Sequence, residues 1–165
     1  MATSPTSMVK ISVDVAFSQN QNVSVSGVVV RDEGGHLLGA CHHRTARVQS
    51  TFAAEAFAMV HGLEFAADLG FSSVVVEGDS RTIIKRLKSS APDYSEIGPI
   101  VSTAKSIKDR FARCWFRQVC RSMNRAAHAL ARIGMDSSDD RFWIEEALPA
   151  VVSYVAEDRR NLESP

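Results

Sequence analysis

The sequence has few cysteines and no long apolar run. Its 165 residues include three cysteines, Cys41, Cys114 and Cys120. An odd number of cysteines without metal-ligand spacing argues against a disulfide framework and a zinc site, and it indicates reduced thiols. No run approaches the roughly 18 apolar residues needed to cross a membrane, and residues 1–8 lack the basic start and apolar centre of a secretory signal. We therefore expect an intracellular protein, nuclear or cytoplasmic, with no membrane partner.

The chain also lacks a net charge, because 19 basic residues balance 19 acidic ones. Whole-chain charge therefore identifies no polyanionic partner. The distribution is uneven, since residues 105–132 carry eight Lys or Arg against one Asp or Glu, an excess of seven. This segment is a candidate phosphate-binding face, although the solvated faces of a helix and a strand would give the same pattern.

The composition, with 45% hydrophobic and 23% charged residues, is typical of one globular domain. We place that domain at residues 9–158, including a C-terminal tail packed back onto it. Residues 1–8 and 159–165 are predicted to be flexible. We expect the domain to be a monomer.

Three strands are predicted near the N-terminus. Residues 10–17 alternate between an apolar face and a polar face, and Asp14 lies in the middle of the polar face. Residues 23–31 and 37–43 read as two more strands around a turn at 32–35, which is rich in residues that tolerate positive φ. The three strands should form an antiparallel meander.

A buried helix is predicted from Thr51 to Leu69, with Ser50 or Thr51 as its cap and Gly70 as its stop. Its first half is apolar nearly all round, and Glu55 is the sole charge before His61. Burying an unpaired carboxylate costs several kcal/mol. Glu55 must therefore have a partner, which could be a salt bridge or a metal ion.

The next strand ends in acid. Three consecutive valines, Val74 to Val76, predict a central parallel strand buried on both faces. Asp79 then falls at its carboxyl end, where open α/β sheets bind ligands. The alternative is that Asp79 or Ser80 only caps the helix that begins near Arg81.

Two helices and a fifth strand are predicted in the remaining chain. Residues 97–111 read as a helix and residues 114–120 as a strand. A short Ala-rich helix over residues 124–131 places Asn124 and His128 one turn apart on one face.

Several motifs in this order match one family. They are Val13-Asp14-Val15-Ala16-Phe17, residues 26–32 followed by Gly35, Ala53-Ala54-Glu55, Val76-Glu77-Gly78-Asp79-Ser80, residues 124–131, and a tail with Trp143, Leu148, Pro149 and Asp158. By these motifs the sequence resembles the ribonuclease H (RNase H) type-1 family. The likeness is greatest to plant RNase H-like domains found with non-LTR retroelement sequences.

The resemblance implies an α/β fold, a five-stranded mixed sheet of three antiparallel strands and then parallel strands, flanked by helices. It also implies hydrolysis of the RNA strand of an RNA–DNA hybrid with two Mg²⁺ ions, for which Mn²⁺ could substitute. Asp14, Glu55 and Asp79 would hold the metal, with Asp14 bridging, and His128 would stand at the fourth catalytic position. Thr51, Arg121, Asn124 and Arg125 are the expected nucleic-acid contacts.

Among the departures of the sequence from the family pattern, three bear most on whether cleavage is retained. Val15 stands where the family has Gly, Phe52 where well-studied members have Asn, and His128 where many have Asp. A second function therefore stays open, a domesticated RNase H-like module that binds nucleic acid or protein with weak or no cleavage.

Overall fold

The structure is a computed structural model that describes residues 8–163. Residues 1–7 and 164–165, which fall in the two segments expected to be flexible, lie outside the described residues. The elements follow in the order β1 (Val9–Ser18), β2 (Val23–Arg31), β3 (Leu37–Thr45), α1 (Thr51–Asp68), β4 (Ser73–Gly78), α2 (Arg81–Lys88), α3 (Gly98–Lys108), β5 (Arg113–Gln118), α4 (Arg125–Met135), β6 (Arg141–Ile144) and α5 (Pro149–Glu163). A 3₁₀ turn, Arg121–Met123, connects β5 to α4.

The strands form one mixed sheet in the order β5-β4-β1-β2-β3-β6. Strands β1 to β3 are an antiparallel meander, and β4 pairs in parallel with both β1 and β5. The predicted mixed α/β fold is confirmed. Ser12 lies opposite Glu77 in the β1–β4 pair. This register places residue 14, two positions after Ser12, level with residue 79, two positions after Glu77.

The predicted number of five strands is wrong, because β6 adds a sixth. It pairs antiparallel with the outer edge of β3, and Phe142 is 57% exposed and Ile144 68% exposed. A strand of four residues with exposed apolar side chains has no hydrophobic alternation that a sequence pattern can detect. The sixth strand is therefore defined only by its pairing with β3.

Helices cover both faces of the sheet. Helices α1, α2 and α3 bury the larger apolar core, which includes Met59 and Leu63 of α1. Helices α4 and α5 bury a smaller core, in which Leu130 packs with Val151 and Val155. Helix α5 continues to Glu163, past residue 158, where the sequence analysis placed the start of a flexible segment. No helix within residues 8–163 is long and apolar enough to span a membrane.

Helix α1 begins and ends as predicted. The Ser50 hydroxyl accepts a hydrogen bond from the Ala53 backbone N–H at 3.1 Å, and Gly70 follows the helix at φ 87°. A serine cap and a left-handed glycine are the usual signals of the two helix ends. Ser50 thus fixes where α1 begins, and with it the position of Glu55 in the second turn.

Strand β4 is more open than its three valines predict. Val74 and Val76 are fully buried against the α1–α3 layer, but Val75 is only half-buried on the opposite face. On that face α4 packs against β1, β2 and β3. The side near β4 and β5 stays partly uncovered, and Trp115 there is 51% exposed.

Candidate active site

Three predicted acids surround one small cleft. Because Ser12 of β1 lies opposite Glu77 of the parallel neighbouring strand β4, Asp14 lies level with Asp79, the first residue after β4. Such strands are about 4.8 Å apart. Glu55, in the first turns of α1, closes the cleft from the other layer, and its lining also includes Val15, Met59, Gly78 and Ser80.

The acids affect one another's protonation. Burial raises the pKa of Asp14, and the negative charge of Asp79 raises it further, while hydrogen bonds to Val15 and His128 oppose the change. Burial also raises the pKa of Glu55, and the charges of Asp79 and Asp14 add to it. The cleft therefore concentrates negative charge in a partly dehydrated place.

Glu55 has one oxygen without a partner. Ser80 hydrogen-bonds to the Glu55 carboxylate, which partly opposes the rise in the pKa of Glu55. Oε2 of Glu55, however, is buried and has no hydrogen-bond partner. Among residues 8–163 no ion pair joins Glu55, so the predicted alternative of a salt bridge is not found. A buried acceptor without a donor is costly, and a cation would satisfy it.

Oxygen ligands from carboxylates suit Mg²⁺ and Mn²⁺. The residues present therefore fit such an ion in the kind of ligand they offer. Within the described part of the chain, however, no three His, Cys, Asp or Glu side chains are already grouped closely enough to form a metal site. Coordination would need the side chains to close further on the ion.

Two of the acids are in contact with basic groups. His128 Nδ1 lies 2.7 Å from Asp14 Oδ2, and the His128 side chain is 59% exposed. Arg121 Nε lies 3.4 Å from Asp79 Oδ2, and its side chain is 94% exposed. The structure thus brings His128 to the acids.

The remaining expected nucleic-acid contacts differ in accessibility. Thr51 is exposed and lines a groove beside the cleft with Val15 and Gln49. Asn124 is only 2% exposed, and its Nδ2 donates to the Val13 backbone oxygen at 2.7 Å. As placed, the Asn124 side chain does not reach a ligand in solvent.

Arg125 is held by the C-terminal helix. It pairs with Asp158 at 3.2 Å and with Glu157 at 3.5 Å, and its guanidinium lies 5.0 Å from the centre of the Tyr154 ring. Asp158 also pairs with the buried Arg31 at 2.9 Å. Arg125 therefore takes part in docking α5.

Sequence reasoning missed the second role of Ser80. Its hydroxyl accepts from the Ile83 N–H at 3.4 Å, which caps α2, and it also bonds to Glu55. The signal available was a serine directly after Asp79 at a helix start. Sequence reasoning also missed Glu77, a carboxylate 2% exposed that accepts from Arg117 Nε at 2.6 Å and lies 3.9 Å from Lys10.

The sequence profile of the family described as "Reverse transcriptase-like" matches residues 12–134. That range holds 123 of the 165 residues and contains all four predicted catalytic residues. The chain belongs to this family. A comparison with curated proteins finds no match.

Solved structures of RNase H1 proteins resemble this fold. RNase H1 from the halophilic archaeon Halobacterium salinarum NRC-1 is 26% identical with a TM-score of 0.72, over 79% of this chain and 99% of that one. The N-terminal RNase H domain of a Mycobacterium tuberculosis protein is 22% identical with a TM-score of 0.70, over 80% of this chain and 96% of that one. LC11-RNase H1 in complex with an RNA/DNA hybrid is 21% identical with a TM-score of 0.70, over 79% and 98%.

The last two likenesses concern the fold. The family match, together with the likeness to the Halobacterium salinarum RNase H1, confirms the predicted RNase H type-1 domain. The narrower likeness to plant domains found with retroelement sequences stays a prediction.

Proposed function

We propose that this RNase H type-1 domain is a metal-dependent endoribonuclease that hydrolyses the RNA strand of RNA–DNA hybrids. The observation that carries the proposal is the buried, unpartnered Oε2 of Glu55 beside Asp14 and Asp79. The substrate class follows from the family motifs in the sequence. Mutual repulsion of three acids is tolerated where a ligand needs them, so their convergence supports a catalytic role.

Asp14, Glu55 and Asp79 would hold the divalent ions, with Asp14 shared between them. Two Mg²⁺ ions, or Mn²⁺ in their place, would supply water activation and charge stabilisation at the scissile phosphate. The chain contributes the fixed positions of the oxygens. β1 and β4 hold two of them, and the Ser80 hydrogen bond orients the third.

Groups at the rim of the cleft would act on the nucleic acid. His128 is half-exposed and hydrogen-bonded to Asp14, so it would orient that carboxylate and remain accessible to a phosphate or a water molecule. Arg121 is almost fully exposed beside Asp79 and would contact a phosphate. Thr51 lies on a groove that shares Val15 with the acidic cleft and would contact the sugar-phosphate backbone.

The test is incubation of the purified protein with a labelled RNA–DNA hybrid in Mg²⁺ and then in Mn²⁺, with Asp79→Asn as the matched variant. Cleavage of the RNA strand by the natural protein and none by the variant is the expected result, because the amide keeps the shape but not the charge. A double-stranded DNA of the same sequence is the substrate control. Equal cleavage by both proteins would remove Asp79 from the site.

A second candidate is a module that binds nucleic acid or protein without cutting. The observation that favours it is the direct contact of Asp14 with His128, where many family members have a fourth carboxylate. Hybrid binding without cleavage in either metal would support this candidate. The monomeric state and the nuclear or cytoplasmic location stay predictions.

A further inference from the structure

Asn124 stands at the start of α4 without capping it. Asparagine is favoured at this position because its side chain can accept from the first free N–H groups of the helix. Here the side chain makes no such bond, and Nδ2 donates instead to the Val13 backbone oxygen at 2.7 Å. The Asn124 side chain therefore joins the helix to β1.

Between Val119 and α4 the chain has no buried residue other than Asn124. The 3₁₀ turn of Arg121–Met123 contains no buried residue. After Val119, Asn124 is the first buried residue on the way into α4, at 2% exposure. The buried Asn124–Val13 hydrogen bond, made in place of a helix cap, therefore holds the start of α4 in position.

This anchor lies directly beside the candidate catalytic pair. Val13 precedes Asp14, and His128 follows Asn124 by one helical turn, with the His128 N–H donating to the Asn124 carbonyl at 3.1 Å. The bonds Asn124–Val13 and His128–Asp14, at 2.7 Å each, therefore connect the same helix to the same strand. The Asn124–Val13 bond is buried, whereas the His128 side chain is 59% exposed.

The sheet is shaped for this close approach. Gly27 lies opposite Asp14 on β2, and a Cβ at Gly27 would collide with the Ala127 backbone oxygen and lie 2.6 Å from the Ala131 nitrogen. The α4 backbone therefore rests directly on the strands at the height of Asp14. Small displacements of its first turn would move His128 relative to Asp14.

We propose that Asn124 is a positioning residue, which sets the place of His128 against Asp14 by holding the first turn of α4 on the Val13 carbonyl. Its importance for cleavage rests on the proposed function. The positional effect itself does not, so the two can be tested separately.

The first experiment reads the position without any cleavage. Long-range ¹H–¹⁵N spectra of the ring nitrogens of His128 at one fixed pH distinguish a single hydrogen-bonded tautomer from an exchanging mixture. Asn124→Ser is the main variant, because serine is a good helix cap but is shorter than asparagine and should not reach Val13. Asn124→Ala is the second variant, and Val101→Ala, in the α3 core, is the control for lost stability.

We expect separate Nδ1 and Nε2 signals in the natural protein and in Val101→Ala, and partly averaged signals in both Asn124 variants. Unchanged His128 signals in both Asn124 variants would overturn the proposal and leave Asn124 as a stabilising residue only.

The second experiment is a double-mutant cycle on hybrid cleavage with Asn124→Ser and His128→Ala. Asn124→Ser should lower kcat about tenfold to a hundredfold, since misplacement by about 1 Å has effects of this size, and it should change KM much less. In the His128→Ala background the same substitution should have almost no further effect. Equal factors in both backgrounds would overturn the proposal. If the natural protein does not cleave, the proposed function fails and the spectra alone decide the positional claim.

Discussion

Replacing Glu55 with glutamine should stabilise the protein when no divalent ion is present. Glu55 is partly buried beside Asp14 and Asp79, and its buried Oε2 has no hydrogen-bond donor. Burial and the two neighbouring charges raise its pKa in the folded state, so the folded protein binds this proton more tightly than the unfolded chain does. Stability linked to Glu55 is therefore present at low pH and is lost as the pH rises above the usual value of 4.5. The cost is therefore larger at pH 7 than below pH 4.5.

The size of the effect follows from one unsatisfied buried acceptor, which costs about 1–3 kcal/mol. Glutamine keeps a carbonyl oxygen for the Ser80 hydroxyl and removes the charge, and with it the repulsion from the Asp14 and Asp79 carboxylates. Because Glu55 is only partly buried, we expect a gain of about 1 kcal/mol at pH 7, at the lower end of that range. For a chain of this length the gain is a rise in Tm of about 2–4 °C.

Divalent ions should reverse the order of the two proteins. An ion that binds only the folded state stabilises it by about 2.7 kcal/mol when its concentration is a hundred times Kd. The natural protein should gain this stability in Mg²⁺ or Mn²⁺, and Glu55→Gln should gain little. Thermal unfolding followed by circular dichroism, in chelator and in each metal, measures both effects.

Glu77→Gln is the matched control. Glu77 is a buried carboxylate two residues before Asp79, but it accepts from Arg117 and lies near Lys10. Loss of its charge should lower stability by about 1–3 kcal/mol, equally with and without divalent ions. If Glu55→Gln destabilises the protein as Glu77→Gln does, or if both respond equally to Mg²⁺, Glu55 is not a metal ligand.

Four further substitutions have defined outcomes. His128→Asp should reduce the preference for Mn²⁺ over Mg²⁺ in hybrid cleavage, because a nitrogen ligand suits Mn²⁺ better; equal preferences would place His128 outside the metal's influence. Arg121→Ala should flatten the dependence of log hybrid affinity on log salt by about 0.9, the value for one phosphate, and Arg125→Ala should flatten it less; salt titrations in Ca²⁺ measure both. Burial lowers the pKa of His61 to about 3, so stability should fall as the pH drops below 6.5, by at most about 1.4 kcal/mol per pH unit. Urea unfolding at pH 7 and pH 5 should show this loss in the natural protein and not in His61→Gln.

The features that could best be predicted from the sequence are those set by the burial of one face of a strand or helix. Strand β1 alternates because its apolar residues face α1, and Asp14 therefore stands out on the polar face. Glu55 stands out because its helix is otherwise apolar over two turns. The parallel pairing of β1 and β4 then places Asp79 level with Asp14 without any further information.

Long-range polar contacts were not predictable in the same way. The unpaired Oε2 of Glu55, the bond from Asn124 to Val13 across 111 positions, and the pairing of Arg31 with Asp158 across 127 positions have no local periodicity. The half-open face of β4 was missed for a related reason. Val75 reads as buried in the sequence, but which layer covers it depends on where α4 packs.

The basic segment 105–132 shows how tertiary contacts change the meaning of a charge count. Arg117 is committed to the buried Glu77, and Arg125 to Asp158 and Glu157 of α5. Among residues 8–163 Arg121 pairs only with Asp79, at 3.4 Å, and the Arg121 side chain is 94% exposed. Exposed ion pairs contribute little to stability, so a phosphate can replace Asp79 as the partner of Arg121 at little cost, whereas Arg125 must first give up contacts that dock α5. Hybrid affinity should therefore depend on Arg121 more than on Arg125, even though the two are equivalent in the sequence.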